Sequence, residues 1–402
     1  MGKRKNLLLT GIARMGKQNK PDPRIWVFSS TDNRHFNYNS KYLFEYVREH
    51  YPKIHPLFVI NDRTLRKKLS EEYGPEYFVE TESMEGVRKV LGAGVWFTSA
   101  GLPVYGLHLK KDRVIVNLWH GVPLKKIGLL DPNLSKAGRL YFRKLFTENY
   151  SYILTTSNAL IPTMEKSFDA PRGMVKVWGQ PRNDMVFCEN NREEIMKSFY
   201  RDLPEYRKVI LYAPTFRDGG RTQLFPFADY DRERMNRFLE KEKAILCIRT
   251  HIKEKESTNL YLSDRIRYLG NEEAEDITSI LNIFDVLITD YSSIYIDYLL
   301  TKKPIIFLPY DKDEYLANRG MNFPYDKVTP GPKPATMKEF QEYLQDFMRA
   351  QNFWESERDE WMQERARCCH FFNEVQEPCS ERICREIIKE VKQRFHVKLE
   401  EE

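Results

Sequence analysis

The sequence predicts an α/β protein made of two doubly wound domains facing a cleft. Three observations lead there. Short apolar, β-rich runs alternate with charged, helix-like stretches along nearly the whole chain, which is the pattern of parallel sheets covered by helices on both faces. There are about eleven such runs, more than one strongly twisted sheet usually holds. They fall into two groups with a polar stretch between them. The first group is 25–29, 56–60, 95–98, 114–118, 153–156 and 175–178; the second is 209–213, 244–248, 266–269, 286–289 and 304–308.

The polar stretch 190–204 separates the groups, so the predicted domains are 1–190 and 191–379. A last helix-like segment within 380–402 is expected to pack back on the first domain. A length of 402 residues fits two or three domains. An apolar share of 41%, with 24 Phe and 23 Tyr, supplies material for real cores and excludes global disorder. The formal charge of +6 is modest, and no nucleic-acid-binding motif accompanies it. No run of 18 apolar residues is present. At the start, Asn6 stands where a myristoylation signal wants Ser or Thr, and the apolar core 6–13 is short for a signal peptide. The segment therefore reads as a basic terminus. The six cysteines lack Cys-x-x-Cys spacing and read as reduced thiols rather than zinc ligands.

The chemistry-bearing residues cluster just after predicted strands. Run 114–118 leads into Trp119-His120-Gly121-Val122-Pro123, which places a histidine where a general base is useful. Run 244–248 leads into Arg249-Thr250-His251. Each histidine alone is as readily a turn or loop residue; two at strand ends, one per half, strengthen both readings. Run 286–289 leads into Asp290-Tyr291-Ser292-Ser293 and an apolar helix start. Hydroxyls and free N–H groups there suit a diphosphate, though an ordinary serine cap explains them too. Asp297, one turn on, is a candidate for ribose hydroxyls. Run 209–213 leads into Pro214-Thr215-Phe216-Arg217-Asp218-Gly219-Gly220, where Thr215 and the Arg217 fork are candidate phosphate contacts. Gly179-Gln180-Pro181-Arg182-Asn183-Asp184 reads as a tight turn and hinge, with Arg182, Asn183 and Asp184 as polar contacts. The pair Asp311 and Asp313 makes a poor metal site. Walker, Gly-x-Gly-x-x-Gly, His-Glu-x-x-His and Gly-x-Ser-x-Gly signatures are missing from the sequence.

Together these motifs resemble the CDP-glycerol glycerophosphotransferase family, the teichoic acid primases and polymerases. The resemblance is carried by Asn39 to Phe44, by Trp119-His120-Gly121-x-Pro123-Leu124-Lys125-Lys126, and by Gly179-x-Pro181-Arg182-Asn183-Asp184. It continues through Leu211 to Asp218, Arg249-x-His251, and Ile288 to Ser293 with Asp297, Lys303 and Pro304. It spans residues 39–319 in order. Val122 stands where the family usually has Thr, and Gln376-Glu377-Pro378-Cys379 replaces a frequent Asp-Gly near the C-terminus.

The resemblance implies a GT-B-like pair of Rossmann-like domains. The first would take an undecaprenyl-type lipid-linked acceptor; the second would bind CDP-glycerol or an analogue through Thr215, Arg217, Asp290, Ser292, Ser293 and Asp297. His120 and His251 fall on the family's catalytic histidines, and Lys125 or Arg182 would meet an acceptor phosphate. CMP is the expected leaving group. Mg²⁺ can accompany a diphosphate, but no cofactor is required by any motif. The expected place is the cytoplasmic face of the membrane, held peripherally on anionic lipid. There the segment 125–144 carries six bases against one acid, Asp131, with leucines and aromatics between them. A basic helix with its apolar side in the core fits that segment as well. The sequence leaves open ribitol in place of glycerol, a nucleotide-sugar transferase of the same fold, and a non-catalytic scaffold. The start of the first domain near Arg24 leans towards single transfer.

Overall fold

The computed structural model describes residues 3–15, 20–217, 222–251, 254–349 and 361–399. The chain divides into two compact units. The first joins Met1–Asp184 to Glu374–Glu402; the second is Met185–Asn373. The helix Arg192–Phe199, inside the stretch read from sequence as the domain break, belongs to the second unit.

The first unit holds a seven-stranded parallel sheet. Its strands are β1 (Asp22–Ser29), β2 (His55–Val59), β3 (Phe78–Val79), β4 (Ala93–Thr98), β5 (Val114–Asn117), β6 (Tyr152–Thr155) and β7 (Val175–Val177). Their spatial order is β3-β2-β1-β4-β5-β6-β7. Side chains alternate across the sheet as strand geometry requires. Trp26 and Phe28 enter one core with Phe44, Phe58 and Phe97, while Val27 between them enters the other with Trp96, Ile115 and Val87. Gly94 is a steric necessity: a Cβ there would lie 2.7 Å from Pro23 Cα on the neighbouring strand.

The second unit holds a five-stranded parallel sheet: β8 (Lys208–Tyr212), β9 (Ala244–Ile248), β10 (Ile266–Tyr268), β11 (Val286–Thr289) and β12 (Ile305–Phe307), ordered β10-β9-β8-β11-β12. All eleven apolar runs read from the sequence are strands. The twelfth, Phe78–Val79, is too short to give a run.

Strand order reverses between β1 and β4 in the first sheet, and between β8 and β11 in the second. Crossover helices leave such a point on opposite faces, which opens a crevice at the carboxyl ends of the strands. The loops after β1 and β4 in the first unit, and separately those after β8 and β11 in the second, therefore lie at prepared positions.

The first unit is completed from the far end of the sequence. Helix Ser380–Phe395 lays Ile383, Cys384, Ile387 and Val391 into the core built on Trp26, Phe28 and Phe44. Its start is fastened by Asp184, whose Oδ1 accepts from Cys379 N at 2.7 Å and whose Oδ2 accepts from Ser380 N at 3.0 Å. Two of the orphan N–H groups at that helix end are satisfied in this way.

Candidate active site

In the first unit, β5 ends at Asn117 and the chain turns sharply. Trp119 adopts a left-handed backbone (φ 55°), and Asn117 Oδ1 accepts from Trp119 N at 2.9 Å. The next residue, His120, has Nδ1 2.7 Å from the carbonyl oxygen of Ser99, at the end of β4. A carbonyl can only accept, so Nδ1 carries the proton and Nε2 keeps its lone pair. Asn39 Nδ2 donates to the carbonyls of Leu118 (3.1 Å) and Trp119 (2.8 Å), and Arg182 Nη1 donates to the carbonyl of His120 (2.9 Å). Arg182 N in turn bonds Asn39 Oδ1 at 3.2 Å. The histidine loop is thus held from both sides.

Two aromatic rings lie against the imidazole. Trp119 has its centroid at 4.1 Å with an interplanar angle of 31°, and Tyr38 is stacked at 5.2 Å and 28°. Tyr38 takes a left-handed backbone (φ 57°) as it enters helix Tyr38–His50. Few tyrosines tolerate that conformation, and it persists only where the surroundings enforce it. Burial pulls the His120 pKa below the ordinary histidine value, and the positive Arg182 adds to this. The bond to Ser99 opposes both without reversing them. His120 is therefore neutral at pH 7, with Nε2 as an acceptor.

In the second unit, the loops after β8, β11 and β12 are knotted together by charge. Asp290 Oδ1 accepts from Thr215 N at 2.8 Å, and its Oδ2 accepts from Arg217 Nη2 at 2.9 Å. Arg217 also binds Asp311 as a fork, Nε to Oδ2 at 2.6 Å and Nη2 to Oδ1 at 2.9 Å; Tyr291 OH adds a bond to Oδ1 at 2.9 Å. Tyr291, Tyr310 and Tyr315 surround the guanidinium at 5.0–5.2 Å. The Arg217 fork read from sequence as a phosphate contact is thus taken up by protein carboxylates, and Asp290 by Thr215 and Arg217. Both organise the loop that the motif forms. Asp218, Gly219 and Gly220 lie outside the described residues.

Ser292 and Ser293 remain half-buried beside this network. Ser293 starts helix Ile294–Tyr298 and makes no side-chain capping bond. Five residues carry little dipole, so hydroxyls and N–H groups supply what this turn offers a phosphate. Asp297, read as a ribose contact, is buried at 3% exposure one turn after Ser293.

His251 follows β9 and is exposed, its ring 4.5 Å from that of Phe216 at 35°. Arg249 does not accompany it into solvent. Its Nη1 donates to the carbonyls of Gly270 (3.2 Å) and Ala274 (2.8 Å), and its Nη2 donates to Asn271 Oδ1 (2.8 Å), pinning the loop after β10.

Of the acceptor and hinge residues, Arg182 supports His120, Asp184 caps the last helix, and Lys125 is half-exposed beyond the histidine loop. Asn183 is buried, and its Oδ1 has no hydrogen-bond partner among the described residues. In the segment 125–144, Arg139 is bonded to the carbonyls of Leu129 and Asp131. Arg143 pairs with Asp169 at 2.9 Å and Lys144 with Glu148 at 2.7 Å. Helix Lys136–Leu145 buries Leu145 yet leaves Leu140 59% exposed, so the segment has both a core side and a solvent side. Sequence reasoning passed over Ser99, Tyr38, Phe216 and Asp311 as site residues. Among the described residues no three His, Cys, Asp or Glu side chains converge as a metal site.

Residues 13–389 match the family described as CDP-glycerol:poly(glycerophosphate) glycerophosphotransferase. A teichoic acid ribitol-phosphate polymerase, TarL, of Staphylococcus aureus is 30% identical over 232 residues, 57% of this chain and 41% of that protein. A teichoic acid poly(glycerol phosphate) polymerase of Bacillus subtilis is 28% identical over 78% of this chain and 42% of its own length. A teichoic acid glycerol-phosphate transferase of S. aureus is 28% identical over 78% of this chain and 81% of its own. The chain spans less than half the length of the first three curated relatives it matches, 41–45%. Among solved structures, the wall teichoic acid polymerase TagF, in a variant soaked with CDPG, superposes with a TM-score of 0.74. It covers 98% of this chain and 95% of its own at 21% identity. At that identity the likeness shows the fold, α/β and GT-B-like.

Proposed function

The chain belongs to the CDP-glycerol:poly(glycerophosphate) glycerophosphotransferase family, and from that membership we propose that it transfers glycerol phosphate from CDP-glycerol to a lipid-linked acceptor and releases CMP. The observation that carries the reading is the tautomer of His120: Nδ1–H is spent on Ser99 and Nε2 is left as a base, in a ring kept neutral by burial. Nε2 takes the proton of the acceptor hydroxyl as its oxygen attacks the β-phosphorus of the donor. The bond from that phosphorus to the bridging oxygen breaks, and the electron pair leaves on CMP. The first unit serves the acceptor, with Lys125 and Asn183 beside the histidine loop. The second serves the CDP-polyol: Ser292 and Ser293 meet the diphosphate, and Thr215 lies in the loop that Arg217, Asp290 and Asp311 hold. His251 donates to the charge that builds on the phosphoryl oxygens. The setting is teichoic acid or related polymer synthesis, at the cytoplasmic face of the membrane. Among the described residues no helix is long and apolar enough to cross it.

A ribitol-phosphate donor is the second reading, favoured by the similarity to TarL. Purified protein with a short-chain lipid-linked acceptor, offered CDP-glycerol, CDP-ribitol or a UDP-sugar in turn, separates the readings. Free CMP with a glycerol-phosphate adduct in the product's mass supports the first. A ribitol-phosphate adduct replaces it with the second, and UDP release refutes both.

A further inference from the structure

Helix Lys3–Met15 is amphipathic the wrong way round for a helix facing water. Its buried side is mostly polar or small: Asn6, Thr10 and Ala13 are 5%, 1% and 2% exposed. Asn6 is spent on the protein, accepting from Tyr105 N at 2.9 Å and donating to Thr81 O at 3.3 Å. Its outer side carries Leu7, Leu8, Ile12 and Met15, with Leu8 64% and Met15 81% exposed. Successive residues advance by about 100°, so Leu8, Ile12 and Met15 share one face opposite Asn6, Thr10 and Ala13, with Leu7 on its flank.

The face extends beyond the helix. Arg14 Nη1 donates to the carbonyl of exposed Leu107 at 2.6 Å, so that loop is fastened to the helix end. Tyr105, bonded to Asn6, packs edge-on against Phe146, which also meets exposed Tyr141 at 6.0 Å between centroids. Of the ten large apolar side chains exposed among the described residues, seven lie on this helix, at Leu107, or at Leu140 and Tyr141. Scattered exposed leucines need no explanation; a set on one short helix and the loop bonded to its end does.

Charge identifies what covers it. Residues 1–20 contain Lys3, Arg4, Lys5, Arg14, Lys17 and Lys20 and no acid, a local charge of +6, equal to the formal excess of the whole chain. A protein partner would need an acidic apolar groove. An anionic bilayer offers both complements at once: headgroups for the bases and acyl chains for the leucines.

We propose that the outer face of helix Lys3–Met15, with Leu107 and Tyr141, lies in the plane of an anionic lipid surface and docks the first unit on it. This rests on the reading above that the acceptor is carried by lipid, and it places the contact on a helix mostly outside the family match at residues 13–389.

The test uses the full chain and vesicles of phosphatidylglycerol and phosphatidylcholine in equal parts. Leu8→Asp with Ile12→Asp alters only exposed positions, so the melting temperature and CMP release with a soluble short-chain acceptor stay at wild-type values. Vesicle partitioning falls by about tenfold or more, and wild-type binding weakens with salt. A separate variant, Leu8→Trp, gains fluorescence quenching from brominated lipid beyond that of the native tryptophans. Unchanged partitioning of the double Asp variant, or no added quenching of the Trp variant, overturns the proposal. So does a wild-type dimer that the Asp pair breaks without any vesicle binding, which would make a second copy the partner. The soluble-acceptor assay reads the transfer reaction alone, so its failure counts against the reaction and not against the helix.

Discussion

The Nδ1 of His120 lies 2.7 Å from the carbonyl oxygen of Ser99, on the neighbouring strand end. That bond sets the tautomer and aims Nε2 away from Ser99, while the rings of Tyr38 and Trp119 lie against the imidazole.

Removing this base tests its assignment most directly. His120→Ala lowers kcat by roughly 10²–10⁴, the usual worth of general acid–base catalysis, while calorimetric affinity for CDP-glycerol holds. Wild-type kcat/KM keeps its activity at pH values below the ordinary histidine range, because the base works only when neutral and burial lowers its pKa. An acid limb at or above that range, or near-normal turnover in the alanine variant, refutes the role.

Tyr38 is expected to act through His120. Tyr38→Ala frees the imidazole and reduces kcat by up to about 10²-fold, the cost of a misplaced catalytic group, with KM little changed. Tyr38→Phe keeps the stacked ring and most of the activity. Equal losses in both variants point instead to the hydroxyl as the needed group.

Ser292→Ala with Ser293→Ala weakens CDP-glycerol and CMP binding together, since both ligands present phosphate to the same turn. Titration calorimetry with CMP alone reads this. Unchanged CMP affinity removes the diphosphate from that turn.

Asp311 shares Arg217 with Asp290, and the guanidinium is 9% exposed at its side chain. Asp311→Ala leaves buried charge poorly paired and lowers stability by about 3–5 kcal/mol, read by denaturant melts. Burial alone would raise the Asp311 carboxyl, but the bonds from Arg217 and Tyr291 outweigh it and hold the pKa below the ordinary carboxylate value. Stability from a depressed carboxylate is complete above its unfolded pKa and is lost as pH falls through the folded one. Asp311→Asn therefore flattens the acid side of the stability profile. An unchanged acid slope shows that the pair is not coupled to folding.

The strands were legible because β-branched and aromatic runs of four or five residues, bounded by charge, have few other solutions in a parallel sheet. The strand-end histidines were legible for the same reason: a residue just past such a run lies at the sheet's carboxyl edge. Their supports were not. Ser99 is 21 residues from His120, and Asp311 is 94 from Arg217. Those pairs form only because β4 adjoins β5 and because β8, β11 and β12 are neighbours, and strand order is not written in hydropathy. The left-handed backbones of Tyr38 and Trp119 gave no signal, since such a conformation at an aromatic residue is imposed by its surroundings. The segment of helix Lys3–Met15 was read only as a basic terminus; its helix is tied to the first unit by Asn6, which hydropathy does not mark.

The bond from Asp184 to the start of helix Ser380–Phe395 also constrains biosynthesis. As the chain leaves the ribosome, the strands of the first unit emerge long before Ile383, Ile387 and Val391, and the whole second unit is synthesised in between. Until then the aromatic face around Trp26 and Phe44 lacks its cover. A translation product that ends before residue 380 accordingly leaves that apolar face uncovered, the kind of exposed surface that makes partly folded chains prone to aggregate.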